Sequence, residues 1–205
     1  MTQPLPDFPV DRSRLEAGIR GSLEAIGSLF GQLDTLEAAS RLLVDTLRSG
    51  GKVLTCGNGG SAAEAMHMAE ELSGRFRGNR RSLPGLALTA DGTAITCIAN
   101  DFGYDEVFAR QIEGLGAPGD LLVVFSTSGK ARCLARAVSQ ARVGGLRVLL
   151  LLGRGGGPLA GRGDVAIDIP DAPTERIQEA HQVVLHLLLD QVELAFPAPG
   201  GDTPR

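Results

Sequence analysis

Residues 52–77 read KVLTCGNGGSAAEAMHMAEELSGRFR, and this stretch decides the fold. A short apolar run, Val53 to Cys56, breaks into three glycines and then into a segment of helical period, the signature of strand, tight turn and helix. The same unit recurs downstream. GLALT (85–89), DLLVVF (120–125), RVLLLL (147–152) and DVAIDI (164–169) are short, nearly continuous apolar runs separated by longer helix-like stretches. Strands that are apolar at nearly every position are covered on both faces, so the pattern predicts a central parallel sheet between helical layers, a three-layer α/β sandwich.

Upstream, residues 11–49 read as two helices added as an N-terminal hairpin. Leu15, Ile19, Leu23 and Ile26 recur at helical spacing, as do Leu36, Ala39, Leu42, Leu43 and Leu47. The last element, about Glu175 to Phe196, is apolar almost all round from Val183 to Leu189 and predicts a buried helix. Residues 1–10 and 197–205 are rich in proline and turn formers, so both ends are expected to be loose around a single domain over 11–196.

Composition excludes several classes. The 205 residues carry a net charge of −4 and 4% aromatics, which argues against a general nucleic-acid binder. No run approaches the ~18 apolar residues of a membrane span, and MTQPLPDFPV lacks the features of a signal peptide. Cys56, Cys97 and Cys133 offer neither a disulfide framework nor a four-cysteine zinc site, which fits a reducing cytoplasm.

Two predicted strand ends are built to receive an anion. Gly57-Asn58-Gly59-Gly60-Ser61 leads into a helix, which Ser61 is placed to cap. Ser126-Thr127-Ser128-Gly129 offers three hydroxyls before the next helix. Either loop alone is equally good turn chemistry. Gly57-x-Gly59-x-x-Ala62 also meets a relaxed dinucleotide fingerprint. However, the first acid after the second strand, Asp91, lies some thirty residues beyond Gly59, where about 20 is expected. Two short anion loops without a nucleotide motif favour a small phosphorylated metabolite.

Three histidines complete the chemistry. His67 and Glu71 are four apart and share a helix face, an arrangement suited to metal binding or proton transfer and also to a plain surface pair. His181 falls in line with Ile177, Val184 and Leu188 and reads as a satisfied core histidine. His186 continues the polar stripe Gln178, Gln182, Asp190 on a buried helix, where polar groups need partners.

At these residues the chain resembles a known family. GGKVLTCGNGGSAAEAMHMAEELSGRFR (50–77), CIANDFGYDEVFAR (97–110), STSG (126–129) and ERIQEAHQVVLH (175–186) look like the corresponding segments, in order, of the sedoheptulose-7-phosphate isomerases of the sugar isomerase (SIS) domain family. The likeness covers roughly residues 12–196. It implies an aldose–ketose isomerase that makes D-glycero-D-manno-heptose 7-phosphate, a lipopolysaccharide precursor, in a homotetramer with active sites near subunit interfaces and one Zn2+ per subunit. By position it makes Glu71 the catalytic base and His186 its acid/base partner. It makes His67, Glu71, Gln178 and His186 the zinc ligands. Asn58, Gly59, Gly60, Ser61, Glu71, Asn100, Asp101, Ser126, Thr127, Ser128 and Gln178 become substrate contacts, and Arg75 falls in the active-site helix segment.

One departure stands out. Lys130-Ala131 follows the STSG loop where the family has Asn-Ser, so a hydroxyl expected at the phosphate is missing and a cation is added. The same fold also occurs in a non-catalytic relative that binds a replication initiator and lacks the catalytic pair, and retention of His67, Glu71, Gln178 and His186 argues against that reading. A phosphosugar-sensing or nucleotide-binding module is favoured only by the glycine fingerprint. Gln178 and His186, eight residues apart, stand about 12 Å apart along a helix. Meeting at one ion would stretch both side chains, so contribution of a residue by a neighbouring chain is expected.

Overall fold

The computed structural model describes residues 9–198. The expected loose ends, 1–10 and 197–205, lie outside the described residues apart from 9, 10, 197 and 198. The two predicted N-terminal helices, α1 (Arg12–Gly27) and α2 (Leu33–Arg48), are joined by a short 3-10 turn and pack chiefly on the C-terminal helix Thr174–Ala195 rather than on each other. They lead into β1 (Val53–Cys56), α3 (Gly60–Ser73), β2 (Gly85–Ala87), α4 (Gly92–Phe102), α5 (Ala109–Leu115), β3 (Leu121–Ser126), α6 (Arg132–Val143), β4 (Arg147–Gly153), β5 (Val165–Ile169) and α7 (Thr174–Ala195).

The five strands form one sheet in the order β2-β1-β3-β4-β5, and every neighbouring pair is parallel. Side chains alternate across it, as the pleat demands. Val53, Val123, Phe125, Leu149, Leu151 and Ile167 point to a core shared with α2, α3 and α7. Leu54, Cys56, Leu122, Val124, Leu150 and Leu152 point to a second core with α5 and α6. Every residue of β3 is therefore buried. Truncating one of these leucines to alanine typically costs about 2–5 kcal/mol.

The strand order locates the site. The chain leaves β1 toward β2 on one side and returns to β3 on the other. The β1 and β3 ends, with loops at 57–59 and 127–131, thus flank the crevice where the winding reverses, the usual ligand position in open α/β sheets. Asp91 is the N-cap of α4 and accepts from the N–H groups of Thr93 and Ala94. A side chain so engaged is a helix cap, which accounts for its misfit to a ribose-binding role.

Candidate active site

The first loop turns into the helix two residues earlier than expected. Gly59 takes φ +59°, open mainly to glycine, and caps α3, so Ser61 lies buried within the first turn and caps nothing. The Gln178 amide fills the space beside Gly60, where an added Cβ would have to displace it. The α7 amide thus rests on the start of α3. Asn58 is held from two sides. Its Oδ1 accepts from the Tyr104 hydroxyl at 2.8 Å, and its Nδ2 faces the Cys133 sulfur at 3.3 Å. One amide therefore ties the β1 loop to the α4–α5 connection and to the start of α6.

In the second loop, Ser126 accepts from the Gly129 N–H at 3.0 Å, and Ser128 lies 3.4 Å from the Lys130 nitrogen. Gly129 takes φ +60°, and a Cβ there would fall 1.8 Å from the Gly156 carbonyl, so the glycines after β4 close over this loop. Thr127 is half-buried and Lys130 is exposed. Asn100 and Asp101, at the end of α4, are exposed and bonded to each other at 2.8 Å.

The titratable groups meet between α3 and α7. His67 Nε2 lies 3.1 Å from Glu71 Oε1, and His67 Nδ1 lies 2.7 Å from the Gln182 amide nitrogen. That amide also reaches His186 Nε2 at 3.2 Å. One set of protons satisfies all three contacts. The two Gln182 hydrogens go to His67 Nδ1 and His186 Nε2, and His67 Nε2–H donates to the carboxylate. Both imidazoles are then neutral. Burial first, and then the neighbouring His67, hold the pKa of His186 below its ordinary value, in agreement with that proton count. Phe76 stacks on the His186 ring at 5.6 Å, and the two imidazoles meet edge to face at 5.3 Å.

His181 is the core histidine that the spacing predicts. It is fully buried, its Nε2–H donates to the Leu152 carbonyl at 2.9 Å, and burial pushes its pKa down to about 4.

Among the described residues, the donor atoms of His67, Glu70 and Glu71 lie within 4.8 Å of one another and form a group able to hold a metal. Imidazole nitrogen and carboxylate oxygen suit a zinc-type cation.

A sequence profile of the SIS domain matches residues 19–153. The phosphoheptose isomerase of Sodalis glossinidius is 46% identical, over 82% of this chain and 87% of its own. That of Campylobacter concisus is 45% identical, over 89% of this chain and 98% of its own. The chain belongs to the phosphoheptose isomerase family of SIS-domain proteins. The solved phosphoheptose isomerase of Neisseria gonorrhoeae superposes with a TM-score of 0.82 at 37% identity, covering 89% of this chain and 98% of that one.

Against the residues expected from this family, the chain by itself brings together His67, Glu71 and, through Gln182, His186. Gln178 lies apart from them, against Gly60. Gln182 belongs to the site although only its place on the polar stripe of α7 points to it. Tyr104 and Cys133 join the loops without any sequence signal. Glu64 is a different omission. It stands three and seven residues before His67 and Glu71, so helical spacing alone places it near their face. It is buried, and among the described residues both carboxylate oxygens lack a hydrogen-bond partner.

Proposed function

We propose that this chain is an aldose–ketose isomerase converting sedoheptulose 7-phosphate to D-glycero-D-manno-heptose 7-phosphate through an enediol. The observation that carries the reading is the continuous contact chain Glu71–His67–Gln182–His186 in a member of the phosphoheptose isomerase family. Moving a carbonyl from C2 to C1 requires a base for the carbon-bound proton and an acid/base for the sugar oxygens. Glu71 is a carboxylate held by a donor on one oxygen, which fixes its orientation and leaves the other free to take the proton. His186 is kept neutral with Nδ1 protonated, so it can give a proton to one oxygen and receive one from the other.

Asn58, Gly59, Gly60, Ser61, Asn100, Asp101 and Gln178 are assigned to the sugar and Ser126, Thr127 and Ser128 to the phosphate. Binding of the phosphate, remote from the reacting carbons, helps to orient them. His67, on giving up the Nε2 proton it otherwise donates to Glu71, and Glu71 itself would hold a zinc ion. His186 and Gln178, which lies against Gly60 in the same chain, would complete the set. Such an ion would polarise the sugar oxygens and stabilise negative charge at the enediolate. The three free thiols suit a reducing cytoplasm.

We also propose a homotetramer in which the site is shared between chains. Leu15, Ile19 and Leu23 form an apolar stripe on α1 that is 58%, 63% and 66% exposed, while the opposite face, with Gly18 and Ser22, packs on Arg176 of α7. Phe102 at the end of α4 is 53% exposed as well, whereas Ile95 and Ile98 of that helix pack against the second core. A second copy would cover such faces. Glu71 stands eleven residues beyond Gly60, about 16 Å along α3. An extended heptose phosphate is shorter than this, so anion loops from a neighbouring chain fit the reading better than those of the same chain.

A coupled assay of sedoheptulose 7-phosphate turnover tests the reading. Turnover is expected from the wild type and is expected to fall after dialysis against a chelator and return with zinc. Glu71→Gln should remove it while leaving sugar-phosphate binding. More than about a tenth of the wild-type kcat, a barrier change below ~1.4 kcal/mol, would reject Glu71 as the base.

A further inference from the structure

We propose that the buried Arg80–Glu193 pair is a positioning device that locks the end of α3 against α7 and so sets the placement of Glu71 relative to His186. The inference rests on the isomerase reading above. The Arg80 side chain is only 1% exposed. Its Nη2 donates to the Glu71 carbonyl at 2.6 Å, and Nη1 donates to the carbonyls of Leu72 and Arg81 at 3.0 and 2.9 Å. Nε donates to Glu193 Oε1 at 3.0 Å. The last carbonyls of a helix have no partner within it, and α3 stops at Ser73. Arg80 supplies that partner and sets a cation at the negative end of the helix. The peptide carrying the proposed base is thereby held directly by the guanidinium.

The same segment grips the proposed acid/base. Gln182, His186, Asp190 and Glu193 recur at spacings of four, four and three along one face of α7. Arg77 pairs with Asp190 at 2.6 Å and lies over Phe76, which stacks on His186. Glu193 Oε2 accepts from the Gly78 N–H at 2.8 Å, and a Cβ on Gly78 would stand 2.8 Å from that oxygen, so any side chain there would push the carboxylate aside. A buried ion pair is a poor source of net stability, since apolar replacements often match it. What this one supplies is direction. Four donors on three carbonyls and a carboxylate leave the α3 terminus little freedom to slide along α7.

The test compares Arg80→Lys, Glu193→Gln and Gly78→Ala with the wild type, with activity expressed per folded oligomer. The expected result is a fall in kcat of about tenfold or more, ~1.4 kcal/mol of barrier, with KM for sedoheptulose 7-phosphate within about twofold. Arg80→Ala should regain part of its kcat when free guanidinium is added at non-denaturing concentration. A kcat per folded oligomer within about twofold of wild type in the variants that fold, whatever their melting temperature, overturns the inference, as does a rise in KM at unchanged kcat. Glu193→Gln and Gly78→Ala keep the guanidinium in place, so they decide the matter if Arg80→Lys fails to fold. Absence of turnover in the wild type would instead reject the isomerase reading itself.

Discussion

Replacing Glu64 by glutamine should remove a pH dependence written into the fold. The residue is 6% exposed, and both carboxylate oxygens are buried with no hydrogen-bond partner among the described residues. Burial pushes its pKa from 4.5 up to about 7. The Ser61 hydroxyl is near enough to oppose this slightly without meeting hydrogen-bond geometry. Between those values the folded protein keeps a proton that the unfolded chain releases, so the Glu64 contribution to stability falls as pH rises. The gap from 4.5 to about 7, at about 1.4 kcal/mol per pH unit, amounts to roughly 3 kcal/mol.

Glu64→Gln abolishes that loss, so the variant should gain about 3 kcal/mol relative to wild type on going from pH 4.5 to 7.5, or on the order of 6–12 °C in Tm. His181 runs the other way. Its neutral form is held down to about pH 4 against an unfolded value of 6.5, so its contribution is lost as pH falls through that range. Both proteins carry His181, and its effect cancels in the difference. Urea unfolding of the two proteins at one fixed concentration, stepped across pH 4.5 to 7.5, reads the difference directly. A stability difference constant within about 1 kcal/mol over that range would refute the reasoning.

Two further outcomes follow from the loops and the assembly. Gly129→Ala forces a Cβ to within 1.8 Å of the Gly156 carbonyl at φ +60°, so the STSG loop must shift. Its KM for the sugar phosphate should rise more than about tenfold, an apparent loss above ~1.4 kcal/mol, and an unchanged KM would remove that loop from the phosphate site. Mixed oligomers of Glu71→Gln with Gly129→Ala should recover activity, because the carboxylate and the loop are assigned to different chains. Mixtures of Glu71→Gln with His186→Ala should not, since those residues meet within one chain. Recovery confined to the second mixture would overturn the shared-site arrangement.

The architecture was legible because buried parallel strands must be apolar at nearly every position. DLLVVF and RVLLLL state that directly, and β3 and β4 lie where those runs stand. His67 and Glu71 were legible for a similar reason, since a spacing of four on a helix makes neighbours of any two residues. Local patterns failed where a partner comes from elsewhere. The apolar stripe Leu15, Ile19, Leu23 marks α1 as a helix but says nothing of which face meets α7, and it is the small-residue face that does so. Ser61 looked like a cap until the left-handed Gly59 moved the helix start.

The sequence by itself therefore determined the strand–helix alternation, the two glycine- and serine-bearing turns and the local pair on α3, all features whose cause lies within a few residues. Only the tertiary structure decided that Gln182 joins His67 to His186, that Asn58 is spent on Tyr104 and Cys133, and that Arg80 closes the end of α3. Gln182 meets His67 across 115 positions, Asn58 meets Tyr104 and Cys133 across 46 and 75, and Arg80 reaches Glu193 across 113. Such pairings depend on how the helices settle on the sheet, which no local periodicity encodes.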